Sequence, residues 1–195
     1  MPPFAELPKL QDELTARWHA DSGAAADTGL NALIVEEHRQ NFALWHEEDR
    51  ARAPLASAER VAQTKRNIDT LNQARNDLIE AIDTQLLKEL HAQGTGSRGV
   101  LNSETPGMII DRLSILSLKI FHTREQVERS DVTPEHIQKN RERLSILLQQ
   151  RQDLASCLNA LWEDTLDGRR YFKIYRQLKM YNDPELNPEI YKARW

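Results

Sequence analysis

Cysteine is nearly absent from this chain: Cys157 stands alone, so no disulfide can close within it. Its place in a helical pattern predicts a packed thiol. Glycine (7 residues) and proline (8 residues) are sparse, aromatics make up 6%, and no run of β-branched residues occurs. These shortages argue against a fold built on sheets, which needs such runs punctuated by turn residues. No apolar stretch approaches the ~18 residues of a membrane-spanning helix. The opening MPPFAELPKL has neither the basic nor the apolar region of a secretory leader, so a soluble cytoplasmic protein is expected. The 30 acidic and 26 basic residues are interspersed, with a net charge of −4, and no basic stripe carries interleaved aromatics. Nucleic-acid binding is therefore not expected.

What is abundant is Leu, Ala, Gln, Glu and Arg, all strong helix formers. The reading is an all-α fold: one helical bundle over residues 1–195 with about six helices, four of them long. A short helix and linker fill 1–29, the bundle fills 30–180, and a docking tail fills 181–195. At this length folding buries roughly 70% of the unfolded surface, so no staple is required.

The punctuation supports that division. Residues 8–20 form a short amphipathic helix through Leu10, Leu14 and Trp18. Asp27 or Thr28 can cap a helix over 30–52, closed by Pro54. Ser57 caps a long helix that runs to about His91 and ends at Gly94. Thr105-Pro106 and Thr133-Pro134 each place a capping threonine before a proline at the first helical position. The helix after Pro106 is apolar around much of its circumference, which predicts a central place, with Asp111, Lys119 and His122 on its least apolar side. The one after Pro134 carries Ile137, Leu144, Leu147, Leu148, Leu154, Leu158, Leu161 and Trp162 on one face, with Asn140 and Arg151 inside that stripe. Tyr171, Phe172, Tyr175 and Leu178 have core spacing for a last helix over 169–180, and Tyr181, Tyr191 and Trp195 would pin the tail. GTGSRG (94–99) spells the dinucleotide-binding pattern but follows a helix instead of a strand, so it reads as a mobile connector, in which Arg98 could serve as a lid residue over an anion.

The informative anomaly lies in helices 30–52 and 57–92. At roughly 100° per residue, Leu30, Leu33, Ile34, Leu44 and Trp45 share one face, and Glu37, Asn41, Glu48 and Arg52 fall inside the same arc. Glu36, Arg39, Gln40, Glu47 and Arg50 take the outer face. On the second helix Val61, Ile68, Leu71, Leu78, Ile79, Ile82 and Leu86 form the stripe, with Arg75 in its middle and Asn72 and Asn76 on a shoulder. An inward guanidinium stays charged and needs a carboxylate, for which Glu37 and Glu48 are the candidates. Such a set is either a polar network that sets helix register or a binding site.

Three chemistries fit. Arg52 and Arg75 with Asn41, Asn72 and Asn76 could recognise a phosphate or a sugar, since guanidinium and amide groups suit oxygen-rich ligands. Alternatively Glu48, Asp77, Glu80 and Asp83 could hold Mg²⁺, the only cofactor implied. Glu80-Ala-Ile-Asp83 is similar to the E-x-x-D of helical nucleotide pyrophosphohydrolases, while Glu36-Glu37-His38-Arg39-Gln40 departs from their E-E-x-x-E at its last position. No zinc spacing exists, because His38 and His46 are eight apart and no HExxH occurs. Third is a non-catalytic scaffold or partner of another protein. Whether the chain is an enzyme stays open.

Four motifs carry a resemblance: N-x3-W-H-E-E-D-x-A-R (41–52), K-R-x-I-D-x3-N-Q-x-R-N-D (65–77), E-T-P-G-x-I-I-D-R-L (104–113) and Y-N-D-P-x-L-N-P (181–188). Together they resemble a family of uncharacterised bacterial proteins, number 4254 among the domains of unknown function, over nearly the whole chain. The TPG-x-I-I-D segment and Asn159-x-Leu-Trp-Glu-Asp are also similar to a second uncharacterised bacterial group. The resemblance implies a bacterial source and the company of glycosyltransferase genes for surface polysaccharides. It implies no reaction.

Overall fold

A computed structural model describes residues 4–20, 28–95, 98–176, 178 and 184–192. After a 3₁₀ turn at Phe4–Glu6 come α1 (Leu7–His19), α2 (Gly29–Ala51), α3 (Ala58–Ala92), β1 (Val100–Leu101), α4 (Pro106–Glu128), α5 (Pro134–Leu166), β2 (Arg170–Tyr171) and α6 (Pro188–Tyr191). The all-α expectation holds, as do the four long helices.

The starts of three long helices follow their caps. Ser57, Thr105 and Thr133 have extended backbones, and each side chain accepts the amide three residues on, from Arg60, Met108 and His136, all at 3.2 Å. Thr28 holds the cap position of α2 without such a bond. Gly94 (φ +73°) and Gly168 (φ +70°) lie just past α3 and α5 in the left-handed conformation that glycine adopts without strain.

Short connections fold α2 onto α3 and α4 onto α5 as helical hairpins, and α4 also packs against α1, α2 and α3. Its near-complete apolar circumference explains that central place: Ile109, Ile110, Leu113, Leu118 and Ile120 are all buried. Ile109, Ile110 and Leu113 meet Ile34 of α2, Ile82 and Leu86 of α3, and Leu158, Leu161 and Trp162 of α5 in one core, while Ile120 packs with Leu116 and with Leu147 of α5 in a second cluster. Phe4 closes the end of that core, edge-on to Trp162 at 5.7 Å.

Several expectations are corrected. The segment over 169–180 is not a helix: Arg170–Tyr171 pairs in parallel with Val100–Leu101, and residues 172–176 have no regular structure. Gly168 turns the chain out of α5, and the strand bonds Val100 N–H to Arg169 O (2.9 Å) and Asn102 N–H to Tyr171 O (2.8 Å) replace the helical ladder. Only Phe172 of the expected stripe is buried, with Tyr175 and Leu178 exposed. Val61 and Leu148 are likewise exposed, and Cys157 is an exposed free thiol, because Leu154, Leu158 and Leu161 take the buried face of α5. In GTGSRG, α4 starts only at Pro106, so no helix N-terminus is presented to a phosphate, and Arg98 is exposed. Tyr181 and Trp195 lie outside the described residues, as does the side chain of Tyr191.

One glycine is dictated by packing. A Cβ on Gly107 would stand 2.7 Å from Ile79 O and 2.9 Å from Asp83 Oδ1, so α4 can lie this close to α3 only with glycine there. Gly107→Ala is expected to destabilise by roughly 2 kcal/mol or more in urea unfolding, the cost of forcing two helices apart. A change under about 0.5 kcal/mol, the range of a bland surface substitution, would contradict this contact.

Candidate functional site

The polar residues of α2 and α3 that were expected to point inward divide into a buried network and the lining of a pocket. Glu37 and Asn41 are buried, and so is His38, one residue along. Asn41 Nδ2 donates to Glu37 Oε1, to Asp111 Oδ1 (2.9 Å) and to Ser114 Oγ (3.0 Å), the last two on α4. Ser114 Oγ in turn lies 2.7 Å from His38 Nδ1, and His38 Nε2 lies 2.9 Å from Gln11 O and 3.0 Å from Thr15 Oγ1 on α1. These bonds suit the tautomer whose Nε2–H donates to the Gln11 carbonyl while Nδ1 accepts from the serine hydroxyl. Burial, ahead of every other cause, lowers the His38 pKa to about 4, so the ring is neutral. Ser114 beside an imidazole has the pairing of a nucleophile and its base. Both are fully buried and neither lines the pocket, so they join α1, α2 and α4.

Arg75 links this network to the open side. Its Nε stands 3.5 Å from Asp111 Oδ1, and its side chain is a quarter exposed. The partner is therefore Asp111, not the Glu37 or Glu48 expected from α2, because α4 inserts its carboxylate between the two helices. Glu37 is held well above the ordinary carboxylate range, first by burial and then by the neighbouring Asp111 charge, with Arg75 opposing. Two buried carboxyl groups thus face one guanidinium.

Outside the network lies a cavity of about 410 Å³, lined by Asn41, Leu44, Trp45, Glu48 and Asp49 of α2, Arg52 just past its end, Asn72 and Arg75 of α3, and Ile115 and Leu118 of α4. Five of the seven candidate residues thus share one pocket: Asn41, Glu48, Arg52, Asn72 and Arg75. Glu37 and Asn76 are buried and do not line it. Glu48 and Arg52 sit at its rim, paired to each other at 2.6 Å with side chains 45% and 70% exposed. They were expected deeper, but burial fades along the last two turns of α2, where Asp49 and Arg50 are already exposed.

A family model described as "Protein of unknown function (DUF4254)" matches residues 31–174. The chain belongs to that family. Every pocket residue lies inside the matched span, whereas α1, which supplies Gln11 and Thr15 to the buried network, lies outside it. No curated protein and no solved structure matches the chain.

The magnesium alternative is not supported by the geometry. Among the described residues no three of His, Cys, Asp and Glu are grouped to hold a metal ion. Glu48 is paired with Arg52, Asp77 is exposed and accepts from Gln73 (2.7 Å), and buried Asp83 accepts the Gly107 amide (2.7 Å) at the start of α4. Burial raises the Asp83 pKa to about 6, against the opposing hydrogen bonds from Thr105 and Gly107.

The residues that periodicity undervalued were legible in part. His38 follows Ile34 by four positions and precedes Trp45 by seven, which puts it on the inward arc. Asp111, Ser114 and Leu118 likewise share one stripe of α4. Which stripe faces which was not legible.

Arg75→Met should destabilise by about 3 kcal/mol, because the Asp111 carboxylate is left buried without its cation. Adding Asp111→Asn should recover most of that loss in a double-mutant cycle. Additive losses would mean that the two side chains do not interact. Asp83 gives a pH signature. Its folded pKa is raised from 3.8 to about 6, so the stability it contributes is full below the unfolded value and is lost as pH rises through about 6. Asp83→Asn keeps the acceptor for the Gly107 amide and should gain about 2 kcal/mol at pH 7.5, with under half of that gain at pH 4.5. A gain independent of pH in urea titrations would mean that Asp83 is solvated. His38 acts oppositely: its contribution is full above 6.5 and falls as pH drops towards about 4.

Proposed function

We propose that the pocket between α2, α3 and α4 recognises a small sugar-containing molecule, as an enzyme or accessory factor in bacterial surface-polysaccharide metabolism. The carrying observation is the convergence of Asn41, Asn72, Arg75, Glu48 and Arg52 with Trp45, Leu44, Ile115 and Leu118 around one cavity. Amides and charged groups on one side with an apolar and aromatic wall on the other suit a ring that has hydroxyl edges and C–H faces. Trp45 is held from behind by the His122 ring, stacked at 4.8 Å and 7°, so the wall is preorganised.

A phosphorylated ligand is the other form of this reading, and charge weighs against the phosphate as its main anchor. Arg52 is paired with Glu48, Arg75 with Asp111, and Asp49 adds a further carboxylate to the lining. The two guanidinium charges are therefore already balanced, and a phosphate would have to displace a carboxylate. A protein partner such as a glycosyltransferase fits the accessory form of this proposal.

The test is a thermal-shift panel of free sugars, sugar phosphates, sugar nucleotides and inorganic phosphate, on the wild type and on Asn72→Ala and Glu48→Gln. A sugar-bearing ligand at ~100 times its dissociation constant should stabilise the wild type by about 2.7 kcal/mol. Both variants should lose that shift. No shift from any compound, or one that both variants retain, would sink the pocket reading.

A further inference from the structure

Three histidines that the pocket does not use lie directly behind its Trp45 wall. His19 ends α1, His46 lies in α2 and His122 in α4, and their ring centroids stand 5.0 Å (His19–His122), 5.2 Å (His19–His46) and 6.1 Å (His46–His122) apart. Phe42 and Phe121 fill the space around them, with Phe121 stacked on His19 at 4.2 Å and Phe42 edge-on to His46 at 4.6 Å. His19 Nδ1 is 2.8 Å from Thr15 O, and His122 Nδ1 is 2.7 Å from Glu125 Oε2. Both acceptors call for a proton on Nδ1, which leaves Nε2 of each ring as a bare lone pair. Both Nε2 atoms are buried, and among the described residues neither has a hydrogen-bond partner.

We infer that these three histidines form a proton-sensitive wedge: the N–H created when a bare Nε2 takes up a proton has no hydrogen-bond acceptor in the closed packing, and seating it moves His122 and, with it, the Trp45 wall of the pocket. An imidazolium donates from both nitrogens, so a charged His19 or His122 would carry an Nε2–H that nothing in the closed packing accepts. Two charged rings at this spacing also repel strongly in a partly buried setting. His46 shows the consequence: burial first, then His19 and His122, lower its pKa, with Asp49 opposing and Arg50 reinforcing the shift.

The remaining groups around the cluster leave the new Nε2–H without an acceptor. On α4, Glu125 is the counter-ion for a charged His122, but it is engaged at Nδ1 on the other side of the ring. On α2, Glu47 is tied to Arg50 at 2.5 Å and accepts from Asn67 of α3 at 3.4 Å. On α1 the acceptor for His19 is a backbone carbonyl. Among the described residues the stack of Trp45 on His122 is the one ring contact that joins the cluster to the pocket lining. Acidification from pH 8 to 5.5 therefore loosens the pocket wall before the core opens.

This deepens the reading of the pocket, and its use in ligand control rests on that reading, but the experiment needs no ligand. The full chain is labelled with 5-fluorotryptophan, and the Trp45 and Trp162 signals are assigned by Trp45→Phe and Trp162→Phe. ¹⁹F spectra are then recorded from pH 8 to 5.5. The Trp45 signal should shift or broaden with a sigmoidal midpoint while Trp162, 2% exposed in the core, stays still. His46→Gln and His19→Gln, neither of which touches Trp45 in the described ring contacts, should each move that midpoint by about half a pH unit or more. A flat Trp45 signal, a midpoint unchanged in both variants, or Trp162 moving in step with Trp45 would each overturn the wedge. A blank ligand panel would count against the pocket proposal and leave this result intact.

Discussion

A carboxylate held between three helices is the joint on which the structure depends. Asp111 of α4 faces Asn41 of α2 and Arg75 of α3, and it is 8% exposed. Leaving such a charge unpaired costs several kcal/mol, on the order of what holds a whole domain folded. The three helices must therefore meet in the one register that supplies both partners. A shift of α4 by a single turn would strand Asp111 and push Gly107 away from the one surface of α3 that only glycine can approach. Apolar packing makes the bundle compact, and this polar joint makes the arrangement unique.

The joint also explains why polar groups on α2 and α3 have two fates. Groups deep in the bundle are tied into a chain that runs from Arg75 through Asp111, Asn41, Ser114 and His38 to the backbone of α1. Groups one or two turns further along, Glu48, Arg52 and Asn72, surround the cavity. Arg75 belongs to both sets, with its Nε towards Asp111 and part of its side chain exposed among the lining residues. A ligand that drew on Arg75 would therefore be felt in the buried network.

Much of the fold was legible because it rests on local rules. Ser57, Thr105-Pro106 and Thr133-Pro134 announce helix starts through hydrogen bonds made within four residues. The anomaly of Glu37 and Asn41 was legible too, since a 3.6-residue repeat puts them among leucines. Where reading failed, a distant segment decided. The stripe from Tyr171 to Leu178 has helical spacing, yet β1, some seventy residues earlier, recruits Arg170–Tyr171 into a strand pair. Cys157 has a helical pattern around it, yet α5 turns that residue outward.

The amino-acid sequence by itself determined the helical class, the caps of three long helices, the central place of α4, and the presence of polar residues on faces that ought to be apolar. Each follows from periodicity and short-range hydrogen bonding, which act within a few residues. Only the tertiary structure decided that Arg75 pairs with Asp111, that Glu48 and Arg52 stay at a rim, and that His19, His46 and His122 meet behind Trp45. Those outcomes depend on how helices far apart in the chain are turned about their axes, and a helical repeat specifies which residues share a face without specifying which face they meet.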